Sequence, residues 1–164
     1  DEVFMNGMSS ERYSPNTRAT RAMLVTVLWQ AAGCPYTPTS GAPGKPFNDV
    51  SPQSWYYKQI CWAKAEGIVA GYSSGNFGPD NPITREQLVT ILWQYAGKPG
   101  HSENRLPYYD SWAVSNYAWD AMLWATENGI ISGTGNNTLN PKGYATRAQI
   151  AQFTMAFMRY TGRL

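Results

Sequence analysis

The chain repeats one pattern three times, and this repetition limits the possible folds more than any other feature. A Thr-Arg pair followed by a helical apolar pattern occurs at Thr20-Arg21, Thr84-Arg85 and Thr146-Arg147. The pairs are 64 and 62 residues apart, since 85 − 21 = 64 and 147 − 85 = 62. The chain is therefore about two and a half copies of a unit a little over 60 residues long.

Each Thr-Arg pair predicts the start of a helix. Thr is a preferred N-cap residue, and Gln87 and Gln149 follow their Thr at the spacing of a capping box. Met23 holds that place in the first unit and cannot close a box. The apolar residues of the middle unit then fall on one helical face, at Leu88, Ile91, Leu92 and Tyr95.

Arginine at the first helical position is unexpected, because the amide end of a helix carries a partial positive charge. Arg21, Arg85 and Arg147 all lie there, which indicates a compensating interaction. We interpret each as an anion site in which a guanidinium lies beside unpaired helix amides. A structural alternative stays open, in which the arginines pair with Asp49 or Asp110 or with loop carbonyls of a neighbouring unit.

The middle unit shows the complete organisation. It predicts an extended entry from Phe47, a first helix from Trp55 to Glu66, a Gly-rich turn, and a second helix that stops at Gly97. The third unit repeats this with a first helix from Tyr117 to Asn128, whereas the first unit lacks its first helix. We place the units at 1–33, 47–97 and 108–164, with Gly/Pro-rich linkers at 34–46 and 98–107.

Composition excludes several functions. A net charge of +2 without a Lys/Arg run does not fit a nucleic-acid binder. No apolar run reaches the roughly 20 residues that span a membrane. The content of 7 Trp and 11 Tyr is high and favours stacking surfaces, which carbohydrate ligands use.

No catalytic or metal-binding pattern is evident. Cys34 and Cys61 do not form a disulfide framework or a zinc spacing, and His101 lies alone in a linker. Asp49 and Asp110 hold equivalent places in different units, so we do not expect them to face one another as a glycosidase pair. The sequence therefore predicts a protein that is not an enzyme and needs no cofactor or metal.

Taken in order, the motifs of the middle unit resemble the S-layer homology (SLH) domain. They are Phe47-x-Asp49-Val50, Trp55-Tyr56, Trp62-Ala63, Gly67-Ile68-Val69-x-Gly71-Tyr72, Phe77-x-Pro79 and Ile83-Thr84-Arg85. The resemblance implies an all-α fold of three helix–loop–helix units, arranged as a monomeric pseudo-threefold trimer around a central three-helix bundle. It also implies non-covalent anchoring of a bacterial surface protein, outside the cell, to cell-wall polysaccharide attached to peptidoglycan.

In this family the polymer end is often a pyruvylated amino sugar, held in grooves between units. Carried onto this sequence, the resemblance implies ligand-binding roles for Arg21, Arg85, Arg147, Asp49, Trp55, Gly71, Tyr72, Asp110, Tyr117, Gly133 and Thr134. Gly7 and Met8 are the matching turn residues of the first unit. We expect two complete grooves, with Arg21 against the middle unit's first helix and Arg85 against the third's.

Several assignments keep a structural alternative. Trp55 and Tyr117 suit core packing as well as sugar stacking, and turn geometry alone explains Gly71 and Gly133. For the whole chain, the alternative function is a protein-interaction or assembly module with aromatic anchors at its interface. A weaker alternative is the surface remnant of an enzyme whose catalytic domain has been removed.

Overall fold

The computed structural model describes residues 15–37 and 45–163, and this part of the chain is all-α, as predicted. Gly7 and Met8, most of the first unit's turn and part of the first linker lie outside the described residues. The helices are α1 (Arg21–Ala31), α2 (Tyr57–Ala65), α3 (Arg85–Tyr95), α4 (Trp119–Glu127) and α5 (Arg147–Tyr160). Short 3-10 turns at Ser111–Ala113 and Asn116–Ala118 precede α4.

The second helix of each unit starts where the Thr-Arg pair predicts. The hydroxyl oxygens of Thr20, Thr84 and Thr146 each accept a hydrogen bond from the third helical amide. Capping boxes close in α3 and α5 through Gln87 and Gln149, which confirms the predicted helix starts.

The first helices begin later than predicted. Helix α2 starts at Tyr57 rather than Trp55, and α4 at Trp119 rather than Tyr117. Neither helix has a side-chain cap. The residues before each helix form tight turns, one of which is closed by a 3.2 Å hydrogen bond from the Tyr57 amide to the Ser54 carbonyl. Trp55 and Tyr117 therefore lie in the turns that lead into the helices.

The five helices share one core. Helix α5 packs against α1 and α3, while α1 also packs on α2 and α3 on α4. Aromatic rings contact one another between the helices, with 5.4 Å between the ring centroids of Tyr95 and Phe157, which are tilted, and 6.4 Å between those of Trp124 and Phe157, which meet edge to face. Each fully buried large side chain contributes roughly 1.5–3 kcal/mol.

A ring of three backbone hydrogen bonds joins the units ahead of their second helices. The Ala19 amide donates to the Ala145 carbonyl (2.9 Å), the Ala145 amide to Ile83 (2.8 Å), and the Ile83 amide back to Ala19 (2.9 Å). Isolated β-bridges accompany these bonds. The ring places the start of each second helix against a loop that belongs to another unit.

Candidate functional site

The amides at the starts of α1, α3 and α5 are already paired. In each helix the first two amides donate to loop carbonyls of another unit at 2.9–3.1 Å, and the N-cap Thr takes the third. The accepting carbonyls are those of Asn81 and Pro79 for α1, Gly143 and Pro141 for α3, and Thr17 and Pro15 for α5. The expectation of unpaired helix amides beside each arginine is therefore wrong, because these loops cap the helices.

Arg21 is buried, with 7% of its surface exposed, yet its guanidinium is only partly used by the protein. Its Nε donates to the Phe77 carbonyl at 2.8 Å, and its Cζ lies 4.9 Å and 4.7 Å from the ring centroids of Tyr72 and Phe77. Within the described part of the chain, its Nη atoms make no hydrogen bond. Two donor groups of Arg21 are therefore without a partner among the described residues.

Arg85 is held by the fold more completely and is 2% exposed. Its Nε donates to the Leu139 carbonyl at 3.0 Å and its Nη2 to the Ser132 carbonyl at 2.7 Å, and it lies over the Phe153 ring. This geometry matches the structural alternative in which the arginine joins loop carbonyls of the next unit.

Burial lowers the pKa of both guanidinium groups. For Arg21 the opposing influences are Tyr72, Tyr117 and Asp49, and for Arg85 they include Asp110. Arginine still remains protonated in a protein. The result is a desolvated cation, which attracts an anion more strongly than an exposed one does.

Asp49 and Asp110 hold loops in place. The Asp49 carboxylate accepts from the amides of Phe77 and Gly78, both at 2.8 Å. Asp110 accepts from the amides of Leu139 and Asn140 at 2.7 and 2.8 Å. Burial acts to raise the pKa of Asp110, but these amides together with Arg85 outweigh it and lower the pKa.

A cleft of about 310 Å³ opens beside Arg21, and we call it the Arg21 cleft. It lies between the second unit's turn, one face of α3, and the region before α4. Its lining residues are Arg21, Val69, Ala70, Gly71, Tyr72, Gln87, Thr90, Ile91, Gln94 and Tyr117. The cleft thus combines a cation, two amide side chains and two tyrosine rings.

The Arg21 cleft brings together four residues that the sequence assigned to ligand binding, namely Arg21, Gly71, Tyr72 and Tyr117. Arg21 contacts the middle unit through Tyr72 and Phe77, and the third unit also contributes to the cleft. Of the two aromatic residues assigned near the first helices, Tyr117 of the third unit lines the cleft, whereas Trp55 of the middle unit is not part of the lining. Helix α1 packs on α2 of the middle unit.

Gly71 and Gly133 are required by the close packing of their turns. A Cβ atom on Gly71, whose φ is +75°, would lie 2.5 Å from a ring carbon of Phe47. At Gly133 it would lie 2.8 Å from the Thr138 carbonyl oxygen. Neither position tolerates a side chain, so turn geometry accounts for both glycines.

The remaining assigned residues lie away from the Arg21 cleft. Trp55 is exposed and its ring lies nearly perpendicular to that of Tyr56, and Thr134 bonds across its own loop to Thr138. The Nε of Arg147 is buried and has no hydrogen-bond partner in the described residues. Tyr13, which matches Phe77 by the repeat spacing, lies outside those residues.

Sequence reasoning gave no role to Glu86, which is 2% exposed. Its carboxylate accepts from the Ser115 amide (3.0 Å), the Ser115 hydroxyl (2.8 Å) and the Tyr117 hydroxyl (3.1 Å). It also forms an ion pair with Lys142, at 2.7 Å. Burial acts to raise the pKa of Glu86, but these four interactions outweigh it and lower the pKa.

One signal in the sequence distinguishes Glu86. The other two units carry Ala22 and Ala148 directly after the motif arginine. A carboxylate in a position that otherwise holds a small apolar residue needs compensation, and this could have directed attention to the third unit.

Other chemistry finds little support. In residues 15–37 and 45–163, no group of three or more His, Cys, Asp or Glu side chains is arranged to hold a metal ion. None of the helices described is both long and apolar enough to cross a bilayer. The Arg21 cleft is therefore the candidate site with the clearest binding chemistry.

Comparison with known proteins gives a family match and a set of relatives. The family model of the S-layer homology domain matches residues 46–89 and 108–151, which are the second and third units. The chain is similar to an amylopullulanase of Thermoanaerobacterium thermosulfurigenes, with 29% identity over 98% of this chain and 8% of that protein. It is also similar to a surface-layer 125 kDa protein of Lysinibacillus sphaericus, with 32% identity over 64% of this chain and 9% of that protein.

A third relative is a cellulosome-anchoring protein of Acetivibrio thermocellus, 22% identical over 89% of this chain and 33% of that protein. The chain thus spans no more than a third of each of these three relatives. The chain thus matches a part of each relative, one of which is named as an enzyme and another as a surface-layer protein.

Proposed function

Because this chain belongs to the S-layer homology domain family, we propose that it is a non-covalent anchoring module that binds cell-wall polysaccharide attached to peptidoglycan. It holds a bacterial surface protein at the outside of the cell and acts by binding rather than by catalysis. The relatives support this, since their names include a surface-layer protein and an anchoring protein, and the enzyme among them matches over a small part of its length.

The observation that carries the proposal is the Arg21 guanidinium, which is buried and charged yet has uncommitted donors beside an open cleft. Arginine offers two parallel donors that fit a carboxylate better than lysine does. A pyruvyl ketal on an amino sugar supplies one carboxylate of that shape. We therefore place the ketal carboxylate against the free edge of Arg21.

The rest of the cleft suits the sugar itself. The rings of Tyr72 and Tyr117 offer apolar surfaces to the C–H face of a pyranose, and the amides of Gln87 and Gln94 can pair with hydroxyl or N-acetyl groups. Gln87 uses its side-chain oxygen in the capping box, which leaves its amide nitrogen available. A pyruvylated amino sugar thus matches the cleft in charge and in shape.

The test is binding of the purified module to cell walls before and after the attached polysaccharide is stripped chemically. We expect binding to intact walls and its loss on stripped peptidoglycan. Equal binding to both would contradict the polysaccharide as the ligand. Arg21→Ala should abolish binding while circular dichroism shows unchanged helix content, and Arg21→Lys serves as the matched variant that keeps the charge but not the planar fork.

A second function is favoured by two aromatic residues of the third unit. Tyr109 and Trp112 are 79% and 83% exposed and are not part of the Arg21 cleft. Exposed rings of this kind are typical of protein interfaces. In that alternative the module assembles with another surface protein, binding is insensitive to added pyruvylated sugar, and a Tyr109→Ala/Trp112→Ala double variant loses it.

A further inference from the structure

Glu86 introduces a buried negative charge at one of three equivalent positions, where the other units carry Ala22 and Ala148. An uncompensated buried carboxylate is strongly unfavourable, so its partners must be held in place for the fold to form. Those partners are Ser115, Tyr117 and Lys142. All three belong to the third unit, whereas Glu86 belongs to the second.

The four interactions are divided unequally over the carboxylate. Oε1 accepts from the Ser115 hydroxyl, the Tyr117 hydroxyl and the Lys142 ammonium group, and Oε2 accepts from the Ser115 amide. Lys142 also contacts the Ser115 hydroxyl directly. The result is a connected network around the buried carboxylate of Glu86, and Tyr117 is the member of it that lines the Arg21 cleft.

This network determines which part of the Tyr117 side chain a ligand can contact. Tyr117 is 55% exposed, but its hydroxyl donates its hydrogen bond to Glu86 and not into the cleft. The ring therefore offers a C–H or π surface to a ligand rather than a hydrogen-bond donor. Trp55, the matching residue of the middle unit, has no hydrogen bond through its indole in the described residues.

We propose that Glu86 is a positioning residue that holds the Tyr117 ring as an apolar wall of the Arg21 cleft, so that the cleft selects an amino sugar whose apolar face meets the ring while its carboxylate meets Arg21. This inference rests on the proposed function and deepens it. Glu86 does not contact the ligand and acts through Tyr117. Its own charge is paired with Lys142, which limits its repulsion of an anionic sugar.

The expected loss of ligand affinity follows from the cost of ordering the Tyr117 side chain. A free aromatic side chain must be ordered when a ligand binds, and a tethered one has already been ordered. Loss of the tether should therefore weaken affinity about fivefold, an order-of-magnitude figure for one immobilised side chain. The effect should be smaller than that of Arg21→Ala, since the carboxylate contact is retained.

The experiment measures the affinity of the methyl glycoside of a pyruvylated N-acetyl amino sugar by calorimetry. The variants are Glu86→Ala, Tyr117→Phe and the double variant. Each single change should weaken affinity about fivefold. The double variant should be no weaker than either, because both changes remove the same tether. Glu127→Ala is the matched control, since Glu127 is a carboxylate bound to Ser102 outside the cleft, and it should leave affinity unchanged.

A second measurement follows the Tyr117 ring without ligand. In protein labelled with ¹³C at the tyrosine ζ carbon, the Tyr117 signal is identified by its loss in Tyr117→Phe. Partial burial and the Glu86 carboxylate raise the pKa of Tyr117, so Glu86→Ala should lower the alkaline titration midpoint of this signal. A purely structural Glu86 that did not touch Tyr117 would leave that midpoint in place.

The outcomes separate the two proposals. Binding by the original chain with unchanged affinity in Glu86→Ala overturns the role of Glu86 and leaves the anchoring function standing. Additive losses in the double variant overturn the tether as well. If the original chain does not bind the glycoside, the pyruvylated-sugar assignment and the selective role of Glu86 both fail, and the Tyr117 signal still shows whether Glu86 holds the ring.

Discussion

Arg21 and Arg85 occupy the same position of the same motif, yet their surroundings differ. Arg85 uses two of its donor atoms on the carbonyls of Leu139 and Ser132, whereas Arg21 uses one, on Phe77. The residue that matches Ser132 is Ala70, and its carbonyl receives no bond from Arg21. One repeated residue thus closes the interface between units in one copy and leaves donors for a ligand in another.

The largest effect is expected from Arg85→Ala. The change leaves two loop carbonyls without their buried donors and removes a cation that they compensate, which should cost about 3 kcal/mol of unfolding free energy. Urea unfolding followed by circular dichroism measures this loss. A loss under about 1 kcal/mol would mean that water replaces the guanidinium, and that Arg85 is no more structural than Arg21.

Arg21→Ala should act mainly on binding. Removal of a charge-assisted contact to the sugar carboxylate should weaken affinity at least about 30-fold, equivalent to roughly 2 kcal/mol, with a smaller loss of stability than Arg85→Ala causes. Calorimetry with the pyruvylated glycoside measures the first and urea unfolding the second. Equal loss of binding in Arg85→Ala with its fold intact would contradict the division of roles between the two arginines.

The loop that Asp110 holds should contribute to stability in a way that depends on pH. The lowered pKa of Asp110 means that its stabilising contribution is fully present above the ordinary value of 3.8 and is lost as pH falls through the lower folded-state value. Asp110→Asn should therefore cost about 1.5 kcal/mol at pH 7, and the difference from the original chain should shrink below pH 4. Urea midpoints at pH 7, 5 and 3 give the result, and a gap that grows towards low pH would contradict it.

The smallest difference is expected between Thr20→Ala and Thr84→Ala. Each variant loses an N-cap hydroxyl and should lose about 1 kcal/mol, with at most roughly 0.5 kcal/mol more in α3, where the capping box also breaks. Thermal or urea unfolding of the pair is sufficient. If Thr84→Ala lost much more stability than Thr20→Ala, the difference between the Arg21 and Arg85 sites would come from the capping of the two helices and not from the contacts of the guanidinium groups.

The sequence was most informative where one short segment determines the structure. The Thr N-caps and the capping boxes of Gln87 and Gln149 depend on residues three positions apart, and all were predicted correctly. The first helices were placed two residues too early, because Trp55 and Tyr117 fit the helical pattern although tight turns hold them.

Contacts between units could not be read from the sequence in the same way. The helix amides looked unpaired because their partners, such as the carbonyls of Pro79 and Pro141, lie in loops more than 50 residues away. Arg21 was expected against the middle unit's first helix, and the cleft beside it also includes Tyr117 of the third unit, a contribution that local spacing does not encode. Glu86 was missed for the same reason, as every partner of its carboxylate lies in another unit.

The backbone ring of Ala19, Ile83 and Ala145 has a consequence for how the chain reaches its native state. Each bond in it joins residues that are 62 to 126 positions apart, as 145 − 83 = 62 and 145 − 19 = 126. Contacts so distant along the chain slow folding, because the loop entropy is lost before the contacts stabilise anything. The first third of the molecule can therefore complete this ring only once the last third has been synthesised, and a polypeptide cut short before Ala145 lacks two of its three bonds.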